Sequence, residues 1–320
     1  MNLSKAPPVV NEQITVREGS RPTAGQRRRR GWDQHGIWYL FLAPAVLLLL
    51  MFMAYPLVES LRLGFFRWNG LKPPRFVGVE NFVELAQDRF FWGSLWHTLV
   101  FAAVATVGTV AIGFLLAVAI SHRVWGWPLF RVGYFLPTML SLTVAGALWW
   151  RIYEFNYGLL NTLLRNIGLE IFALPWLADV RYSLRAIIIV TIWQYAGFPM
   201  IVLLAAIENI PQELHDAATI DGANEGQRIW HLTLPLIRPV LASISMLQVV
   251  FSLKVFDVIW VMTKGGPSES SSVLGTYLYR HGFELRAFGY ASSVAVVMFV
   301  IIFALTYLYQ WLVKFEAVEF

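Results

Sequence analysis

Apolar and polar positions in this chain are sorted into long blocks rather than short periods. Six apolar runs, at 37–57, 98–120, 132–150, 186–207, 239–262 and 287–313, are each long enough to cross about 30 Å of hydrocarbon as a helix. Helices are the expected form, because an open strand would leave backbone N–H and C=O groups unpaired in lipid. The predicted fold is therefore all-α: a polytopic membrane protein with six transmembrane helices. A polar tail at 1–35 precedes this membrane domain at 36–314, and a short tail at 315–320 follows it.

The polar block at 209–238 is the longest between apolar runs in the second half, and its residues predict order. Asn209 or Ile210 can cap a helix with Pro211 in its first turn and Glu213 close behind. Leu214, Ala217, Ala218 and Asp221 then share one helical face. Gly222 supplies the break, since a residue without Cβ can take the left-handed conformation that closes a helix. Asn224 followed by Gln227 predicts a second short helix, and Pro235 with Pro239 marks entry to the next apolar run. Helix, sharp turn and helix between two spans read as a docking element.

Composition agrees with the membrane assignment: 57% of residues are apolar and only 14% charged. The net charge of +5 comes largely from the N-terminal tail, where the run Arg27-Arg28-Arg29-Arg30 lies next to the first span. Basic residues in that position belong on the cytoplasmic side and meet anionic lipid headgroups; a nucleic-acid partner is not expected. With six spans both termini are then cytoplasmic, as is the 209–238 block. No small-residue cleavage site follows the first apolar run, so that run reads as a span and not a cleaved signal. The chain has no cysteine, which excludes disulfides, thiolate metal sites and cysteine nucleophiles.

The spacing in the polar block carries a resemblance. Asp216-Ala217-Ala218, three residues, Gly222, nine residues and Leu232-Thr233-Leu234-Pro235 resemble the EAA loop of permease subunits in binding-protein-dependent ABC importers. Asp216 stands where that family usually has Glu, and Leu232 where it has Ile. Phe135-Leu136-Pro137, Gly158-Leu159-Leu160-Asn161, Pro175-Trp176-Leu177 and Lys264-Gly265-Gly266-Pro267 are similar to segments of the sugar-type permeases. His97-Thr98 departs, since that family more often has Asn before Thr. The resemblance implies an ATPase-coupling set of Glu213, Leu214, Asp216, Ala217, Ala218, Asp221, Gly222, Leu234 and Pro235. It also implies a second homologous permease subunit, a dimeric cytoplasmic P-loop ATPase and an extracytoplasmic solute-binding protein as partners, in the inner membrane of a prokaryote. The substrate it implies is a sugar or oligosaccharide, with a glycerol-phosphate-type permease as the alternative.

Chemistry of other kinds is missing from the sequence. There is no Gly-x-x-x-x-Gly-Lys-Ser/Thr to cradle phosphates, and the six histidines have no metal-ligand spacing. No catalytic residue, metal or cofactor is expected. Lys254 and Asp257, three apart in the fifth run, predict neighbours on one helix face, either lining a substrate pathway or forming a satisfied internal pair. Trp193, Gln194 and Tyr195 combine flat apolar faces with polar edges that suit sugar rings, and packing is the alternative role. An ion-coupled secondary transporter would use the Lys254 and Asp257 charges directly, but would leave the Asp216–Pro235 spacing without a purpose.

Overall fold

The computed structural model describes residues 38, 39, 41–122 and 126–313; the arginine run of the N-terminal tail and the 315–320 tail lie outside the described residues. Two compact units are present, Met1–Val58 and Glu59–Phe320. The first is represented by most of one apolar helix, Phe41–Leu63 (α1), with a π turn at Leu50–Ala54.

The second unit opens with a two-stranded hairpin, β1 (Phe66–Arg67) and β2 (Arg75–Phe76), and a short helix, Glu80–Gln87 (α2). Arg89–Ser121 (α3) follows and organises the rest. Asp88 starts it, its Oδ1 accepting from the Phe90 N–H at 2.7 Å. One stripe of this helix is made of small residues, Ala102, Ala105, Thr106, Thr109, Gly113 and Ala117, all buried. Such a stripe lets other backbones come close. A Cβ on Gly113 would lie 2.7 Å from Pro199 and 3.0 Å from the Ala196 carbonyl. Apolar clusters on either side, one around Phe101, Ile187 and Ile259 and one around Met200, Leu203 and Ile237, form the core.

Four described helices are single elements long and apolar enough to span a membrane, and six crossings result only if each of two bent pairs is one span. The expected run 132–150 is not one helix. Trp127–Phe135 (α4) tightens into a 3-10 turn at Leu136–Met139, and Leu142–Ile152 (α5) leaves at 100° to it. Leu140 turns extended, with φ −72° and ψ 143°, and Ser141 caps a new start by accepting from the Val144 N–H at 3.3 Å. The run 186–207 bends by 41° between Ser183–Tyr195 (α7, after Leu159–Asn166, α6) and Gly197–Glu208 (α8). Pro199 accounts for the bend, because its ring conflicts with the Tyr195 carbonyl four residues back.

Past the loop helix Gln212–Ile220 (α9), Glu225–Arg228 (α10) runs through a π turn at Ile229–Thr233 into Leu234–Leu253 (α11), giving one helix of 29 residues. Pro235 and Pro239, expected at the entry to an apolar run, therefore sit inside a continuous helix. The expected span to residue 262 stops at Leu253. Lys254 is its C-cap, and Asp257 opens a separate helix, Asp257–Met262 (α12). Leu274–Tyr279 (α13) and Phe288–Leu312 (α14) complete the unit.

Candidate functional site

The polar block folds as a helix, a turn and a helix, by local rules. Pro211, not Asn209 or Ile210, is the N-cap of α9. Gly222 has φ +80°, and no atom lies within 4 Å of where a Cβ would sit, so its left-handed conformation, and not crowding, is what selects glycine. The Asn224 N–H donates to Gln227 Oε1 at 2.8 Å and the Gln227 N–H to Asn224 Oδ1 at 2.9 Å, a closed capping box. No side chain of α9 is buried. Glu213, Leu214, Asp216, Ala217 and Asp221 are exposed and Ala218 half-buried, and Gln212 donates to Asp216 Oδ1 at 3.0 Å. Leu234 and Pro235 stand apart from that face, in the continuous helix.

Sequence reasoning missed the joint that ties this block to the spans. His122, the C-cap of α3, lies 3.0 Å from the Glu225 carboxylate through Nε2. The two frame a cavity of about 510 Å³ together with Glu208, His215, Arg228 and Thr233. Neither residue carries a sequence signal, because the pair is made across 103 positions and only the fold brings them together.

The five expected pathway residues do not form one cluster. Lys254 and Asp257 are both exposed, on different helices, and no ion pair joins them among the described residues. The helix-face pair expected from their spacing is absent because the helix ends between them. Lys254 Nζ sits 6.0 Å from the Phe251 ring. Gln194 is fully buried: its Nε2 donates to the Leu140 carbonyl at 2.9 Å, and Thr138 Oγ1 donates to the Gln194 carbonyl at 2.9 Å. It fastens the 100° break of one bent pair to the bend of the other. Trp193 points its ring at Trp149, 5.3 Å away and edge-on. Tyr195 is half-buried and within electrostatic reach of Asp257. Breaks at 140–141, 195–197 and 254–257 thus gather in one region, with Asp257 and Lys254 exposed beside it. Discontinuous helices at membrane depth supply free backbone groups and are where transporters bind substrate.

Elsewhere, polar side chains act as staples, those of three motifs singled out in the sequence among them. Asn81 Nδ2 donates to the Gly64 and Phe66 carbonyls at 2.8 and 3.0 Å. Asn161 donates to Phe155 and Leu174 and accepts from Trp176 Nε1 at 2.9 Å, joining two segments that looked independent. His97 Nδ1 pairs with the Ser272 carbonyl at 3.0 Å, and Thr98 Oγ1 accepts from the Leu274 N–H at 2.9 Å. Asp88 accepts from the Tyr277 and Tyr290 hydroxyls. Burial works to raise the Asp88 carboxyl, but these hydrogen bonds and that from the Phe90 N–H outweigh it and hold its pKa below the ordinary carboxylate value.

The family of binding-protein-dependent transport system inner membrane components matches residues 85–316. The chain belongs to that family. Over 281 residues the permease is 36% identical to a probable ABC transporter permease protein of Pyrococcus horikoshii, covering 87% of this chain and 96% of that one. It is 31% identical over 290 residues to the lactose transport system permease protein of Rhizobium radiobacter, covering 89% and 96%. The crystal structure of a bacterial ABC transporter involved in the import of the acidic polysaccharide alginate matches at a TM-score of 0.80 and 25% identity, over 90% of this chain and 98% of that one. The permease is thus an integral membrane subunit of an ABC transport system, with the fold of its relatives.

Proposed function

We propose that the permease forms half of the translocation route of an ATP-driven importer for a sugar or oligosaccharide, beside a second permease subunit. A solute-binding protein delivers the substrate, and a dimeric cytoplasmic ATPase supplies the energy. The observation that carries the coupling role is α9: a helix with no buried side chain among the described residues, carrying the Asp216–Gly222 spacing and bounded by a glycine turn. Two alanines on it allow a partner's backbone to approach closely. The carbohydrate assignment draws on the relatives, lactose and alginate systems among them.

Motion at the loop has a physical route inward. The helix Glu225–Leu253 has 29 residues, roughly 44 Å at 1.5 Å per residue, and it ends at the Lys254–Asp257 break. The His122–Glu225 contact adds α3 to the same moving part. When ATP closes the ATPase dimer, α9 moves with it and the rod shifts the break beside the two bent pairs. ATP must favour the outward-facing state through contacts made only there, since equal binding shifts no equilibrium.

The test is reconstitution. The complex with a P-loop ATPase should transport sugar, and inactivating the Walker lysine of that ATPase should stop it. Proteoliposomes holding the permease alone should not transport; uptake driven by an ion gradient in them would sink the proposal and favour a secondary transporter.

A further inference from the structure

The segment between α5 and α7 carries an apolar face that its own chain leaves uncovered. At 3.6 residues per turn, Leu159, Leu160, Leu163, Leu164 and Ile167 fill one arc of α6 and its C-cap. Asn161, Thr162, Arg165 and Asn166 make the other arc. Leu160 packs against the core. Leu159, Leu163 and Ile167 do not: they are 69%, 55% and 59% exposed, and Ile171 in the 3-10 turn that follows is 82% exposed. Between 159 and 172 only Arg165 and Glu170 are charged. A contiguous aliphatic stripe of this kind marks a surface that is covered in use.

The charges on the neighbouring helices fix the depth of that stripe. No charged residue precedes Arg151 in α5, and after Arg185 in α7 none follows until Glu208. Both arginines are exposed, and Arg151 lies over the Trp150 ring at 5.5 Å. Long basic side chains at the end of an apolar helix reach for the headgroups, so the hydrocarbon ends at the same level on α5 and α7, which pack together. The segment is pinned to that level. A Cβ on Gly158 would lie 2.1 Å from the Glu154 carbonyl, so the turn out of α5 is drawn tight. Asn161 Oδ1 accepts from Trp176 Nε1, and the Trp176 ring lies 5.8 Å from that of Tyr153, the C-cap of α5. Arg165 on the polar arc donates to the Asn156 and Phe155 carbonyls at 2.8 and 2.9 Å. Tryptophan and tyrosine gathered at a span's end are the composition of the membrane–water boundary.

We propose that α6 and the turn to Phe172 lie in the headgroup layer of the bilayer. Leu159, Leu163, Ile167 and Ile171 enter the acyl chains, and the segment anchors the ends of α5 and α7 to the lipid surface. This requires only that the permease is an integral membrane subunit. The chain has no cysteine, so an introduced thiol places a nitroxide spin label at one known position once the partner subunits are cysteine-free. The experiment uses the assembled transporter in phosphatidylcholine nanodiscs, one transporter to a disc. It compares collisions of the label with oxygen, which concentrates in hydrocarbon, and with a water-soluble nickel chelate. Labels at L163C and I171C should favour oxygen and lie about 5–10 Å below the phosphates, whereas a label at T162C should favour the nickel chelate. L163Q/I167Q should assemble at the parental yield, because both side chains are already exposed; in that background the label at I171C should move toward the phosphates. Nickel access at L163C and I171C equal to that at T162C would overturn the proposal. So would a label at I171C that stays at its depth in the glutamine background. Protection of L163C that appears only when a solute-binding protein is added would overturn it too, and would assign the face to a protein contact.

Discussion

Two short regions of this permease, the loop helix Gln212–Ile220 with its glycine turn and the junction at Tyr195–Gly197, are held by opposite means. The loop makes its own structure. Its turn needs only φ +80° at Gly222, the capping box that starts the next helix joins Asn224 to Gln227 three positions on, and α9 buries no side chain. The junction is made by its neighbours. Gln194 reaches 54 positions back to Leu140, and a Cβ on Gly197 would meet the Tyr134 carbonyl at 2.3 Å. The contrast shows how one element can be exposed and self-supporting while another is set by packing.

Substitutions at the two glycines break the comparison most sharply. Gly197→Val should abolish the folded complex, because the backbone of α4 stands where the side chain would go and overpacking by even less costs about 1–3 kcal/mol. Purified yield and thermal unfolding in detergent read this directly. Gly222→Val meets open space and only the strain of a β-branched residue at positive φ, roughly 1–2 kcal/mol. The complex should therefore form at normal yield, with ATP hydrolysis uncoupled from uptake; normal uptake by this variant would remove the turn from the coupling role.

Smaller changes sharpen it. Gln194→Leu should lower stability by about 1 kcal/mol, the scale of a polar contact between membrane helices. It removes the donor to Leu140, and the unpartnered Gln194 Oε1 along with it, so the loss stays modest. A melting-temperature comparison decides. The least structural effect belongs to Lys254→Met, Asp257→Asn and the pair together. Exposed and unpaired, these should all assemble like the parent, with uptake reduced in each and no rescue in the double variant. Lost assembly in the singles and recovery in the double would mean a buried pair after all.

The sequence was most legible where the physics is local. The number and approximate place of the apolar runs, the left-handed turn at Gly222 and the capping box at Asn224 and Gln227 all depend on residues a few positions apart. The breaks were harder. Pro137 and Ser141 carry the chemistry of a helix end, yet an unbroken hydrophobic run masks it, since burial favours apolar residues whether the helix is straight or bent. The break after Leu253 has no proline or glycine of its own.

The tertiary structure decided that last break and most of what surrounds it. The Val255 carbonyl lies where a Cβ on Gly275 would be only 2.7 Å away, so the chain at 254–256 is fixed by a close approach to a segment twenty positions on. Lys254 and Asp257, three apart in sequence, are thereby parted onto two helices. The His122–Glu225 joint arises in the same way, from side chains that share no local pattern. Hydrophobic block length is set residue by residue and survives any rearrangement of the helices. Which helix bends, and which charges meet or stay apart, follows from contacts between distant segments, and those exist only once the chain has packed.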